Sequence, residues 1–446
     1  MARIKRTIEP YLLVTVYRIC IDLIYNNIIS TEYLYAGFRN DFSFWQCCIS
    51  IIVLLAFMRL MIADYYNKNE ELSKVILLLL FLLSFVPFTS MWAFGMLTYD
   101  FIIANLIFWF LLILSTNIKK FQSYRQFRIT NYLTLGEMHV KIATVLFAVV
   151  VLYISGRYTH FRFNFSLLNV YTLRGEAKNY SLSQLLRYVF SWTRTVICVL
   201  IAYFLRKKRY IWAIVCVFVQ FLNFGIDGSK TTIALTVLSV LISLLPAFEM
   251  VKLNRWVFIG LVGVCTVGLA VYYIFGNIMI VSLFVRRMLC LPVDISTKYF
   301  DFFTTHTPDY YRQSFLRFLG VLSPYKSLPY MISEVYYNTK GMSSNNGLIS
   351  DAISNMGYLG VFVAPFIYAF VFKLLDRVSK GLDKRVHLAI ALYASVTLIN
   401  AFLFTTLLTH GILITMFLLR FMDREDNMIA NNITGETDFI TLDNQY

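Results

Sequence analysis

Residues 75–97 read VILLLLFLLSFVPFTSMWAFGML, a run with no charged side chain. At about 1.5 Å of rise per residue, a helix of this length crosses a hydrocarbon layer about 30 Å thick. The run is too long and too apolar to close a water-facing core, so it places the chain in a membrane. The rest of the sequence agrees. Of 446 residues, 59% are hydrophobic and 15% charged, with a mean hydropathy of +0.65. That composition excludes a soluble enzyme, a secreted disulfide scaffold and a disordered regulator.

Further runs of about 20 predominantly apolar residues, separated by polar or basic breaks, recur on both sides of it. They lie at about 11–29, 44–63, 75–97, 99–117, 139–156, 186–205, 211–227, 231–249, 256–276, 357–376, 387–404 and 407–422, the last two divided near Thr405 and Thr406 because together they exceed one crossing. The expected fold is an all-α polytopic membrane protein with about 12 transmembrane helices, one integral membrane domain over 1–446. Residues 1–6 are basic and no small-residue cleavage site follows, so they lead into a retained first helix. Cys20, Cys47, Cys48, Cys198, Cys216 and Cys265 lie in apolar runs and only Cys290 lies near a polar loop. No disulfide framework or zinc spacing is visible.

Lys and Arg outnumber Asp and Glu by 40 to 25, a formal net charge of +15, and their placement orients the chain. The N-terminus, 64–74, 118–138, 206–210, 250–255, 377–386 and the tail at 423–446 hold most of the short-loop bases, with Arg206, Lys207, Lys208 and Arg209 as the clearest anchor. Both termini are therefore expected in the cytoplasm. Two longer basic loops then face outward: 157–185 with Arg157, Arg162, Arg174 and Lys178, and 277–356 with Arg286, Arg287, Lys298, Arg312, Arg317, Lys326 and Lys340. Long loops escape the charge rule, so these cations are either solvated surface or a site for an anion such as pyrophosphate. Apolar and polar residues alternate at helical spacing over 294–304 and 310–319, and Pro292, Pro308, Pro324 and Pro329 punctuate them. That pattern predicts short amphipathic helices on or dipping into the outer leaflet.

Ionisable groups within a crossing are functional candidates by default. Arg18 and Asp22 are four residues apart and can neutralise each other. Arg194 has no acid at helical spacing and shares its face with Arg187, so it either faces a cavity or pairs with a neighbouring helix. Gln220, Asn223 and Asp227 form a polar stripe, either packing glue or the wall of a site. The stripe rises to the turn Gly225-Ile226-Asp227-Gly228-Ser229-Lys230, whose backbone N–H groups and lysine at a helix start suit an anion. Arg286 and Arg287 point about 100 degrees apart if helical, so one can face a cavity while the other meets headgroups. The stretch 343–357, SSNNGLISDAISNMG, puts Asp351 and Asn355 on one helical face, and amide and carboxylate groups suit sugar hydroxyls. His306, Asp301, Asp309, Glu334 and Asp351 are the candidate outer proton acceptors, with no basis for choosing among them. No Asp-x-Asp pair or His-x-x-x-His appears, and Glu436-Thr437-Asp438 lies in the tail, so no metal or cofactor site is expected. The cations are dispersed among membrane loops, which argues against nucleic acid as a partner.

Three segments together resemble the Wzy family of bacterial O-antigen and oligosaccharide repeat-unit polymerases. Gly228-Ser229-Lys230-Thr231-Thr232 is similar to that family's Gly-Ser-Arg-Thr-type turn. Arg286-Arg287 through Pro292 to Tyr299-Phe300-Asp301-Phe302-Phe303 resembles the start of its large periplasmic loop, and Asn345-Asn346-Gly347 through Asn355-Met356-Gly357-Tyr358-Leu359-Gly360 resembles the end. The resemblance implies a GT-C-like, metal-independent inverting glycosyltransferase in a bacterial inner membrane, with its active site facing the periplasm. Such an enzyme moves a growing glycan from undecaprenyl pyrophosphate onto the next lipid-linked repeat unit, and a chain-length regulator is the implied partner. Arg287, Arg286, Asp351 and His306 are then the catalytic candidates. Arg174, Arg194, Asp227, Lys230, Asn345, Asn346 and Asn355 are the substrate-binding ones. The related O-antigen ligases carry a His-Asn pair where this chain has Asn345-Asn346, which favours polymerase over ligase. Lys230 in place of the family's arginine offers a point charge instead of a fork. A transporter of lipid-linked oligosaccharides is the alternative from another class, although the chain shows neither the paired repeats nor the short loops of that design.

Overall fold

The computed structural model describes residues 2–66, 71–118, 136–162, 170–245 and 250–424. Among these residues the regular structure is helical throughout, with no strand. Nine of the helices are long and apolar enough to cross a membrane: Ile8–Glu32, Phe44–Tyr65, Leu72–Ala93, Tyr99–Asn117, Gly136–Thr159, Gln184–Arg206, Tyr210–Asp227, Val251–Phe275 and Tyr358–Ser379. The chain is thus an all-α polytopic membrane protein. Three expected crossings take shorter forms. The run at 231–249 is the 15-residue helix Lys230–Leu244, and 387–404 is the 17-residue helix Lys384–Asn400. The run at 407–422 is broken: Leu403–Leu408 and Ile412–Leu419 are separate short helices, and Gly411 between them has φ +80, a left-handed conformation that stops a helix. The tail beyond 424, most of the loop at 118–138 and part of that at 157–185 lie outside the described residues.

Composition reads as one membrane domain, whereas the described chain forms two compact units. Residues 1–122, 248–373 and 395–405 make up the first, and 123–247, 374–394 and 406–446 the second. In the first unit, 94% of the Leu72–Ala93 crossing is buried inside the protein. Its phenylalanines make a ring cluster in which Phe81 and Phe85 stack at 5.0 Å and Phe85 meets Trp109 edge-on at 5.4 Å. Arg18 is buried beside this helix. Its Nε donates to Asp22 at 2.7 Å and its Nη1 to Thr89 at 3.0 Å and Ser50 at 3.4 Å, while Ser90 donates to the same Asp22 oxygen. The pair read from the sequence therefore forms, and it ties three helices together.

Of the two stretches in the large loop whose periodicity predicts helices, 294–304 forms within Leu291–Thr305, whereas 310–319 is turn leading into the short 3-10 helix Phe315–Leu319; Val281–Cys290 in π form, Leu328–Tyr337 and Ile349–Met356 complete the loop's helices among the described residues. Leu291–Thr305 turns inward, with Val293, Ile295, Phe300 and Phe303 buried. Phe300 meets Phe101 at 5.5 Å and Tyr358 at 5.8 Å, both on crossing helices. An amphipathic face this aromatic buries more apolar area among helices than on a membrane surface.

In the second unit, Gln184–Arg206 packs against Tyr210–Asp227 and Lys230–Leu244. The Arg206–Arg209 block is met by acids: Arg206 by Asp383 at 2.6 Å, Lys207 by Asp423 at 2.8 Å and Arg209 by Glu137 at 2.9 Å. The break at Gly411 is sealed by side chains of Gln184–Arg206, since the Trp192 Nε1–H donates to the Leu408 carbonyl at 2.5 Å and Thr195 donates to that of His410. Freed carbonyls in an apolar setting need such donors.

Replacing Arg18 with alanine leaves the half-buried Asp22 charge without its counter-charge and takes a donor from two hydroxyls, so the solubilised protein should lose about 3 kcal/mol or more of stability. Melting of Arg18→Ala against the Arg18→Met, Asp22→Leu double variant checks this: the double variant should recover most of the loss, and an equally low melting point would show that charge pairing is not the cause.

Candidate functional site

In the first unit one unbroken helix runs from Val281 to Thr305, its first ten residues in π form. Such widened turns aim side chains away from the regular α spacing. Arg286 is half-buried and lies over the Tyr33 ring, 4.2 Å from its centroid. Its Nη2 is 3.5 Å from the Ser282 hydroxyl, its Nε is buried without a hydrogen-bond partner, and no carboxylate pairs with it among the described residues. Arg287 is exposed. One arginine turned inward and one outward is the divergence expected of neighbouring helical positions.

The segment 345–357 is mostly internal. Asn346 is buried and its amide nitrogen donates to the Pro292 carbonyl at 2.8 Å and to Ser296 and Ser350 at 2.9 Å each. Gly347 follows because a Cβ there would meet the backbone carbonyl oxygens of Leu398 and Ala401. Asp351 is only 2% exposed. One of its carboxylate oxygens accepts from the Leu403 N–H at 2.8 Å and the Tyr368 hydroxyl at 3.0 Å, and the other from Asn355 Nδ2 at 2.8 Å. Asn355 in turn accepts from the Tyr311 N–H at 3.0 Å. Asp351, Asn346 and Asn355 therefore position the loop's return into Tyr358–Ser379 through bonds to protein groups. Asp351 and Asn355 are buried with their polar atoms bonded to protein, while Asn346, also buried, lies on the wall of a narrow cavity. Asn345 is the exposed member, accepting from Ser343 at 2.8 Å.

His306 is exposed just past the same helix, stacked on Phe302 at 3.9 Å with Nδ1 2.9 Å from the Thr305 hydroxyl. Nineteen residues of helix separate it from Arg287, roughly 25 Å at helical rise. The two therefore lie toward opposite ends of one helix. Of the other proton acceptors, Asp301 takes the Tyr336 hydroxyl at 2.5 Å and buried Asp309 takes the Gln313 N–H at 2.8 Å. Asp294 escaped the sequence reading. It is buried, accepts from the Tyr337 hydroxyl at 2.6 Å and lies 3.7 Å from Lys298, and burial raises its pKa. The lysine one turn later was the only signal available for it.

In the second unit Arg194 pairs with Asp227 and lies 5.2 Å from the Phe190 ring centroid. Pairing with a neighbouring helix is thus the outcome for Arg194, and Asp227 already meets its charge. The stripe is packing glue: Asn223 donates to Gln220 at 2.8 Å and to Thr193 at 3.1 Å, and Gln220 to the Arg194 carbonyl at 3.0 Å. In the turn, Gly228 has φ +65, and the Ser229 N–H donates to Asp227 at 3.1 Å, so one of the expected anion donors is already used. Lys230 is half-exposed and Arg174 exposed on Val170–Lys178, and neither has an ion-pair partner among the described residues. His410, at the Gly411 break, was not singled out in the sequence, and its imidazole makes no hydrogen bond among the described residues. Within the described residues no group of three His, Cys, Asp or Glu side chains is placed to hold a metal ion. The chain matches no protein family, no curated protein and no solved structure with which it was compared.

Burial pushes the Asp351 carboxyl up to about 6, against the pull of its Leu403, Tyr368 and Asn355 donors. The folded form then binds more protons than the unfolded chain between about pH 4 and 6, so stability falls as pH rises through that window and is flat above it. The drop should be on the order of 2–3 kcal/mol in wild type and largely absent in Asp351→Asn. Melting of both proteins from pH 4 to 7 measures it, and parallel curves would remove Asp351 as the source.

Proposed function

We propose that this protein polymerises lipid-linked oligosaccharide repeat units into surface polysaccharide, acting as a metal-independent, inverting glycosyltransferase of the Wzy type. The observation that carries the proposal is Arg286. It is a half-buried guanidinium held over Tyr33 with its Nε unbonded and no acid beside it among the described residues, in the segment that resembles the start of the family's large periplasmic loop. A poorly solvated cation without a counter-charge is unfavourable, and a pyrophosphate supplies that charge with acceptors matched to the guanidinium fork. Arg287, exposed at the next position, adds a second cation for the same group.

In this reading an acceptor hydroxyl oxygen attacks the anomeric carbon of the growing glycan. The bond from that carbon to the pyrophosphate oxygen breaks with inversion, and the hydroxyl proton is lost. Undecaprenyl pyrophosphate leaves carrying the charge that Arg286 and Arg287 stabilise as it develops. Exposed Asn345 is a candidate on this loop for orienting the acceptor sugar, and Lys230 and Arg174 are cations of the second unit with no ion-pair partner among the described residues. The proposal includes a GT-C-like arrangement of about twelve crossings, in which Lys230–Leu244, Lys384–Asn400 and the broken pair Leu403–Leu408 and Ile412–Leu419 complete the count. It also places both termini in the cytoplasm of a bacterial cell, the large loop in the periplasm and a chain-length regulator alongside.

Gel analysis of surface polysaccharide tests this directly. Cells lacking the chain should show a single capped repeat unit, and cells with it restored a ladder. Arg286→Ala, Arg287→Ala and Arg287→Lys should each reach the membrane yet yield at least about tenfold less polymer, given the effect of removing one donor to a developing charge. A full ladder from the Arg287 variants would take that residue out of the site, and complete loss of surface sugar with lipid-linked single units inside the cell would point to export.

A further inference from the structure

The first unit holds a cavity between Phe81–Phe85 and its continuation to Ala93, the Tyr99–Asn117 helix, the start of Leu291–Thr305 and the Asn346-Gly347 turn. It is narrow, admitting about one water-sized group, and the space at its mouth brings the volume to about 320 Å³. No charged residue lines it. What lines it is a combination of amide, hydroxyl and indole groups with apolar rings. Asn105 is 95% buried by its 5% exposure, faces the cavity and makes no hydrogen bond among the described residues. Ser84 and the Trp109 indole, also on the wall, are likewise without hydrogen-bond partners. Ser84 is the one residue between Val75 and Phe94 that is not buried, and it sits in the π-helical turn Phe81–Phe85.

Buried amides in proteins are almost always satisfied, so buried Asn105, unpartnered beside half-buried Ser84 and the Trp109 indole on one cavity wall, points to a partner group that bonds them there. The chemistry of that partner follows from the wall. Asn105 and Ser84 both donate and accept, Trp109 donates, and with no charge present neither a phosphate nor a cation is matched. Phe88 and Phe101 add apolar surface to the same wall. The partner is a neutral hydroxyl group, carried either by water or by a sugar whose ring rests at the mouth.

We infer that this cavity receives a hydroxyl or hydroxymethyl group of the neutral sugar nearest the pyrophosphate. The inference rests on the polymerase reading and names the sugar subsite of that same site. Its position supports the assignment: Pro292 on the cavity wall lies on the same continuous helix as Arg286 and Arg287, five residues and about 7 Å of helical rise after Arg287.

The test uses full-length protein in lipid nanodiscs and isothermal titration with the neutral oligosaccharide released by mild acid from the host's own surface polysaccharide. Wild type should bind it saturably. Asn105→Leu, which keeps the volume and removes both polar atoms, should bind at least tenfold more weakly with the Arg286–Arg287 pair intact, and Ser84→Ala, a smaller change should Asn105→Leu not fold, several-fold more weakly. Undiminished binding by the folded variants, with an unchanged or raised melting point, overturns the inference and leaves the cavity to water. Absence of saturable binding in wild type overturns it equally. Neither result touches the polymer ladder, which fails or stands by the deletion experiment alone.

Discussion

A guanidinium or carboxylate inside an apolar bundle has to be answered by other groups of the protein, because no water is there to do it. That constraint organises both units. Arg18 is met by Asp22, Ser50 and Thr89, which pins the first helix to two others. Arg194 is met by Asp227 across two helices, and Arg206, Lys207 and Arg209 are met by Asp383, Asp423 and Glu137. Against this background Arg286 stands out. Its charge has a ring face and a distant hydroxyl, and its Nε has nothing among the described residues.

The same rule accounts for the long loop. A segment with this many polar residues is expected at a surface, yet Leu291–Thr305 is buried through its aromatic face. It can be so because its polar groups are consumed internally: Asn346 by Pro292, Ser296 and Ser350, Asp294 by Tyr337, and Asp351 by Leu403, Tyr368 and Asn355. Asp351 ties its own helix to Tyr368 and to Leu403, 17 and 52 positions away. The cavity beside Asn105 is the place where this accounting is incomplete, and it opens within a short helical distance of the arginine pair.

The all-helical membrane class, nine of the crossings, the helix over 294–304 in the large loop and the Arg18–Asp22 pair were legible in the sequence, because each follows from local spacing: run length for a crossing, four residues for an ion pair, helical periodicity for the loop helix. The same local reading proposed Arg286 and Arg287 as neighbours with divergent directions. What it could not settle was who answers whom across helices. Whether Arg194 faced a cavity or a carboxylate depended on Asp227, thirty-three positions away. Whether Asp351 met substrate or protein depended on Leu403, fifty-two positions away. The break at Gly411 needed the Trp192 and Thr195 donors before a short helix pair could replace a single crossing. His306 and Arg287 share a loop in sequence but sit toward opposite ends of one helix in space, and the unpartnered Asn105, an ordinary residue in an apolar run, gained its meaning only once three other segments enclosed it. Local periodicity fixes the elements because each residue's neighbours along the helix are known in advance. The partners of a buried polar group are chosen by packing, and packing is set by residues far apart in the chain.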